Sequence, residues 1–253
     1  MKKRKGKINI GTSGIVMPGP KQTFPPEFHG KSRLNYYSSL FNSIEINSSF
    51  YKIPMPATFE KWAADVPGDF TFTIKLWREI THIKELKFNP DHMDVFLKAA
   101  VGLQQKKGCL LVQFPGKINL ERYSEVEQIL ALLYESEYLD NWRIAVEFRN
   151  PAWYVSETHE LLNEYGASLV LHDIPKARNM EVHKNAPFVY LRLHGPKGDY
   201  RGSYSTEQLH EKFGLIQAWQ RAGKDVYVYF NNTAGAAFDN ALQLKSMFRK
   251  QDP

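Results

Sequence analysis

The sequence predicts an α/β fold, a single (β/α)8 TIM-like parallel barrel. Three observations carry this. Eight apolar-rich stretches alternate with amphipathic ones along 253 residues, which indicates successive βα units at a length typical of such barrels. The stretch 189–195 sets Val189, Leu191 and Leu193 against Tyr190, Arg192 and His194 before Gly195 ends it. That is the period of a strand with two unlike faces. The pattern recurs along the chain, with ionisable or amide groups near the C-terminal ends of the strands, where barrel enzymes place their sites.

Strands are expected at residues 7–14, 43–50, 71–77, 109–115, 143–151, 168–173, 188–195 and 225–232. Helices are expected between most of them. Residues 30–41 form a short one, and 57–66 carries Phe59 and Trp62 at i, i+3. The stretches 91–106 and 120–135 are longer. Residues 156–165 begin at Ser156, read as an N-cap. Residues 205–222 open with Ser205 and Gln208 at capping-box spacing, and 238–249 closes the chain. Residues 174–187 contain Pro175 and Pro187 and no apolar stripe, so an irregular segment replaces the sixth helix. A Pro-rich loop, 15–30, follows the first strand on the site face and is a candidate lid. The reading is one domain over residues 7–250, preceded by a basic flexible tail at 1–6.

The chain is 43% apolar and 13% aromatic, enough for a sizeable core. Its single cysteine, Cys109, cannot form an internal disulfide, so a reducing, cytoplasmic location is expected. No apolar run is long enough for a membrane span. A monomer or weak homo-oligomer is expected. The net charge is +6, but five of those charges are Lys2, Lys3, Arg4, Lys5 and Lys7, so the remainder sums to +1. The basic character is a property of the terminus and says little about the partner.

In a barrel, one parity of each strand faces the helices and the other the axis. Ile44/Ile46, Phe72/Ile74/Leu76, Leu110/Val112/Phe114, Ile144/Val146/Phe148, Leu191/Leu193 and Val226/Val228/Phe230 suit the helix face. The axis then receives Asn9, Gly11, Ser13, Glu45, Asn47, Thr73, Lys75, Gln113, Glu147, Arg149, Asp173, Tyr190, Arg192, His194, Tyr229 and Asn231. Barrel interiors are ordinarily filled with Val, Ile and Leu, and buried charges are costly unless paired. Their accumulation points to a ligand site. The competing reading is a satisfied internal network with Glu147–Arg192 or Glu45–Lys75 ion pairs.

These residues fall in motifs that run in order along nearly the whole chain: Gly11-Thr-Ser-Gly14, Glu45-Ile-Asn47 with Phe50-Tyr51, Phe72-Thr-Ile-Lys75 with Thr81-His82, Gln113-Phe-Pro115, Glu147-Phe-Arg149 with Trp153, His172-Asp173, Tyr190-Leu-Arg192-Leu-His194-Gly195, and Tyr229-Phe-Asn231-Asn232 followed by Gly235, Ala237 and Asn240-Ala241. On them the chain resembles the YecE-like family, a domain-of-unknown-function group with a TIM-barrel-type fold. One departure is Ile15, where the family usually has Trp, so no stacking ring is expected there. The resemblance implies the fold and no settled activity. A fold relation to barrel endonucleases carries no chemistry by itself.

Acid–base chemistry suits the residue types best. Glu45, Lys75, Glu147, Asp173 and His194 are the candidate catalytic groups, with Asp173 orienting the His194 imidazole. Ser13, Asn47, Tyr51, His82, Gln113, Arg149, Trp153, Arg192, Tyr200, Tyr204, Tyr229, Asn231 and Asn232 are the candidate substrate-binding groups. Among these, Arg149 and Arg192, with Lys75, would hold a phosphate or carboxylate. No cofactor is expected. His82, His172, His194 and the carboxylates are metal ligands by type, but they fall in no ligand motif and lie beside cations that compete with a metal ion. Cys109 starts a strand and reads as core. The function expected is a hydrolase or lyase acting on a phosphorylated or nucleotide-like small anionic ligand. The alternatives are a non-catalytic nucleic-acid-binding module and a glycoside hydrolase using Glu45 and Glu147.

Overall fold

The computed structural model describes residues 4–249. All eight expected strands form: β1 (Ile8–Thr12), β2 (Ser43–Ile46), β3 (Thr71–Lys75), β4 (Lys107–Phe114), β5 (Arg143–Phe148), β6 (Ser168–His172), β7 (Val189–Leu193) and β8 (Val226–Phe230). They make one parallel sheet in the order β1-β8-β7-β6-β5-β4-β3-β2. β1 and β8 pair from Ile8↔Val226 to Thr12↔Phe230, as a barrel requires. Each strand ends earlier than expected. After β2 the chain turns into a helical turn, Ser48–Tyr51, which sets Phe50 and Tyr51 at the rim.

The seam between β1 and β2 is sewn largely by side chains. A single bridge joins Ser13 to Glu45. Below it Ile10 N donates to Asn42 Oδ1 at 3.0 Å, and Asn42 Nδ2 donates to Ile8 O at 2.8 Å. Gly11 allows this approach, because a Cβ there would stand 2.0 Å from Ser43 O.

The helices follow the expected order with local differences. The stretch 91–106 is α-helical only over Asp91–Ala100 and continues as a 3-10 segment, Val101–Lys106, because Gln104 at φ 53° leaves the helical path. Ser156 is the first helical residue and Val155 the N-cap, without a side-chain cap. The loop after β1 is anchored, with Met17 and Phe24 buried and Phe24 and Phe28 packed on Tyr36. The capping box of Ser205 and Gln208 is present. Between β6 and β7 there is only a 3-10 turn, Pro175–Ala177, and no α-helix.

The parity argument holds for the outer face. Every residue assigned to the helix-facing set is buried in the main apolar core. Inside the barrel, the lower layers form a separate cluster of Cys109, Leu111, Ala145, Val170, Phe188, Tyr190, Tyr227 and Tyr229. The interior therefore grades from an aromatic floor to a charged mouth. Cys109 lies in that floor, free and buried. Among the described residues no helix is long and apolar enough to cross a membrane.

The expected flexible tail at 1–6 is docked at its C-terminal end. Gly6 is buried and donates its N–H to Gln220 O at 3.0 Å, because a glycine there lets the chain press against Lys224. Met1, Lys2 and Lys3 lie outside the described residues. Asp225 clamps this end of the barrel. It accepts from Lys7 N at 2.7 Å, Arg143 Nη2 at 2.6 Å and Arg4 Nη2 at 3.3 Å. Asp225→Ala is expected to lower folding stability by about 1.5–3 kcal/mol, the scale of hydrogen bonds to a charged group, in equilibrium urea unfolding. An unchanged midpoint would mean that water replaces the clamp.

Candidate functional site

The inward positions of β2, β5 and β7 meet on the axis. Arg192 lies between two carboxylates. Its Nε and Nη2 donate to Glu45 Oε2 and Oε1 at 3.0 and 2.8 Å, and its Nη1 donates to Glu147 Oε2 at 2.7 Å. Glu45 also accepts from Tyr190 OH and Ser13 Oγ, each at 2.6 Å, and from Asn47 Nδ2 at 3.1 Å. The second oxygen of Glu147 accepts from Arg149 Nε. Both glutamates are fully buried. Burial alone would raise their pKa values. The charge of Arg192, with its hydrogen bonds at Glu45 and the added charge of Arg149 at Glu147, outweighs it, so both stay below the usual carboxylate range, Glu147 well below. These two glutamates and two arginines neutralise one another. The expected Glu147–Arg192 pair is present, while Glu45 pairs with Arg192 and not with Lys75.

A second chain of contacts joins Asp173, His194, Arg149 and Tyr200. Asp173 had been expected to face the axis. Leu169 and Leu171 pack outward, so Asp173 has the outward parity of β6, and His172 is the inward residue at that level. Asp173 reaches the mouth because β6 has ended. Its Oδ1 accepts from His194 N at 2.8 Å and lies 3.3 Å from His194 Nδ1, and its Oδ2 accepts from Tyr204 OH. Burial pushes the His194 pKa down to about 4, against the opposing pull of Asp173, so the imidazole is neutral at pH 7. The carboxylate beside Nδ1 assigns the proton there. Nε2 then accepts from Arg149 Nη2 at 3.4 Å. Arg149 Nη1 donates to Tyr200 OH at 3.0 Å.

Open to solvent above this network is a cavity of about 290 Å³, lined by Asn47, Phe50, Tyr51, Lys75, Gln113, Arg149, Arg192, Tyr200 and Asn231. Lys75 is the cation that stands outside the neutral cluster. Its Nζ donates to Gln113 Oε1 at 2.6 Å and lies 3.9 Å from the centroid of Phe50. Among the described residues it makes no ion pair. Burial, then repulsion from Arg192, push its pKa down to about 8, although the carboxylates pull the other way.

The structure thus separates the expected site residues. Asn47, Tyr51, Lys75, Gln113, Arg149, Arg192, Tyr200 and Asn231 share the cavity wall. Ser13, Glu45, Glu147, Asp173 and His194 form its support. His82 stands behind Phe50, ring centroids 4.7 Å apart, with its pKa lowered to about 4 by burial and by Lys75. Four residues lie elsewhere. Trp153 is buried flat against Phe148 at 4.2 Å and donates to Ile118 O. Tyr229 is in the barrel floor, with its hydroxyl 2.5 Å from Ser43 Oγ. Asn232 donates to Gly202 O and Asn240 Oδ1, and Tyr204 ties Asp173 to Gly195 N. These two fix loops. Phe50, in the motif beside Tyr51, lines the cavity although it stands outside the expected site set. His172, a metal ligand by type, is instead the inward residue of β6, as the outward pair Leu169 and Leu171 signals. Among the described residues no three His, Cys, Asp or Glu side chains converge as metal ligands.

A family model described as a protein of unknown function, DUF72, matches residues 9–253. The UPF0759 protein YunF of Bacillus subtilis is 26% identical over 255 residues, covering 87% of this chain and 88% of that one. The UPF0759 protein YecE of Escherichia coli K12 is 24% identical over 163 residues, covering 62% and 58%. A crystal structure of a DUF72 family protein from Thermotoga maritima superposes with a TM-score of 0.78 at 29% identity, covering 96% and 99%. One from Enterococcus faecalis, at 23% identity and TM-score 0.77, shares the fold and covers 96% and 95%.

Proposed function

The chain belongs to the DUF72 family, and we propose that its barrel mouth is an acid–base site for a small substrate bearing a phosphate or carboxylate, of hydrolase or lyase type. The observation that carries this is Lys75, which faces the cavity with no carboxylate partner among the described residues. Arg149 supports it. A guanidinium has five N–H donors, and the contacts above use three, leaving two for an anion. An amine with a pKa of about 8 exchanges a proton near neutrality. Glu45 and Glu147 are poorer candidates for that step, because arginines hold them ionised and buried.

The alternatives fit less well. Glycoside hydrolysis needs one carboxyl kept protonated, and the pKa values of Glu45 and Glu147 are both lowered. A nucleic-acid surface built from tail and mouth would have to span the barrel, since residues leading into β1 lie at the N-terminal ends of the strands, where Asp225 holds Arg4.

Sulfate is a suitable probe because it does not titrate near pH 7. Lys75→Met is expected to weaken sulfate binding by about 1.5–3 kcal/mol, the worth of a charged hydrogen bond, measured by calorimetry. Wild-type affinity should also fall as pH rises through about 8, where Lys75 loses its charge. Equal binding by wild type and variant, flat with pH, would refute the reading.

A further inference from the structure

We infer that Lys75 captures its substrate covalently, as an amine that forms an imine with an aldehyde or ketone carrying an anionic group. The inference rests on the reading of the mouth as an anion site and names its substrate class.

The geometry is that of a nucleophile rather than of a salt-bridge lysine. Lys75 Nζ is held at two points, by Gln113 Oε1 at 2.6 Å and by the Phe50 face at 3.9 Å. Once the amine is neutral, an N–H still donates to Gln113 and the lone pair is left for the cavity. Phe50 and Gln113 favour the ammonium form. Burial and the nearby arginines oppose them and prevail, so that about half of the amine is neutral at pH 8. A desolvated lysine beside other cations is an activated nucleophile. Arg149 and Tyr200, on the same cavity wall, give the substrate's anionic group a place while its carbonyl meets Nζ.

The step balances without any redox partner. The Nζ lone pair forms a bond to the carbonyl carbon, the carbonyl π pair moves to oxygen, and one proton passes from nitrogen to that oxygen to give the neutral carbinolamine. A second proton, taken from solvent, lets the hydroxyl leave as water while the nitrogen lone pair forms the C=N bond, which gives the iminium. Loss of the remaining N–H proton returns that proton to solvent and leaves the imine, so amine and carbonyl become imine and water. The iminium, an electron sink, would serve a lyase better than a hydrolase.

The molecule supplies its own control. Lys245 has a pKa also lowered to about 8, but it lies at the other end of the barrel, in a cavity it shares with Lys7 and Arg249. Full-length protein is incubated at pH 8 with pyridoxal 5′-phosphate and, in parallel, with glyoxylate. Sodium borohydride is added, and the modified lysines are located by peptide mass spectrometry. The expected result is reduction-dependent labelling at Lys75 at least tenfold above Lys245 with one or both probes, suppressed by sulfate. Lys75→Arg should keep sulfate binding and lose the adduct, which separates imine formation from charge. Labelling at Lys245 or surface lysines to an equal extent overturns the inference. Lys75-dependent sulfate binding with no adduct from either probe overturns it too, while the anion-site reading survives. Loss of both defeats both.

Discussion

Replacing Arg192 by methionine is expected to cost about 3–5 kcal/mol of folding stability, the range for removing one partner of a buried ion pair. For a chain of this size that lowers Tm by roughly 6–20 °C. The sequence alone leaves two readings of Arg192 open, a guanidinium that holds an anion and a partner of Glu147 in an internal ion pair. The geometry favours the second. All three nitrogens of Arg192 donate to Glu45 or Glu147, and its side chain is only 3% exposed. Methionine matches much of the aliphatic stem but leaves Glu45 without its only guanidinium and Glu147 with Arg149 alone. Thermal unfolding of the purified variant measures the loss. A Tm within a degree or two of wild type would mean that water enters and solvates the carboxylates.

The fold was legible in the sequence because it depends on periodicity, which survives in a single chain. Alternation at β7 and its repeats gave the strands. The two prolines and the missing stripe at 174–187 gave the absent helix. The mouth was legible as a list of residues and much less so as a circuit. Parity says that Glu45, Glu147, Lys75 and Arg192 converge, but not which cation pairs with which carboxylate. That depends on strand register and the reach of long side chains, such as Arg192 spanning from β7 to both β2 and β5. Asp173 shows the limit of parity. Its strand ends one residue earlier, so its side chain turns to the mouth although its position faces outward. Trp153 and Tyr229 show a second limit. Their motif neighbours line or support the site, yet one ring packs under a loop and the other fills the barrel floor, and sequence proximity does not distinguish these places. Arg4 and Gly6 show a third, since a charge-rich run with no apolar anchor can still dock through backbone and carboxylate contacts.

The pH dependence of the Arg192→Met penalty should identify its cause. In the wild type, Glu45 and Glu147 have folded pKa values below their unfolded ones. Their contribution is complete above the unfolded value, roughly 4.3, and is lost as pH falls towards the folded values. These groups therefore leave wild-type stability flat between pH 7 and pH 5. Without Arg192 the balance at Glu45 changes sign. Burial is the largest influence on it and acts upward, and the next two, both from Arg192, are gone. Ser13 and Tyr190 still donate to it, but neutral donors replace only part of a guanidinium. The folded pKa of Glu45 in the variant should then lie above its unfolded value. A group shifted that way takes up its proton more readily in the folded state, so the variant gains stability as pH falls through the raised pKa. The gap between wild type and variant is expected to narrow from pH 7 to pH 5 in urea unfolding, by about 1.4 kcal/mol for each pH unit over which Glu45 is protonated only in the folded state. A gap that stays constant across that range would assign the loss to packing, and the buried carboxylate would then already be solvated.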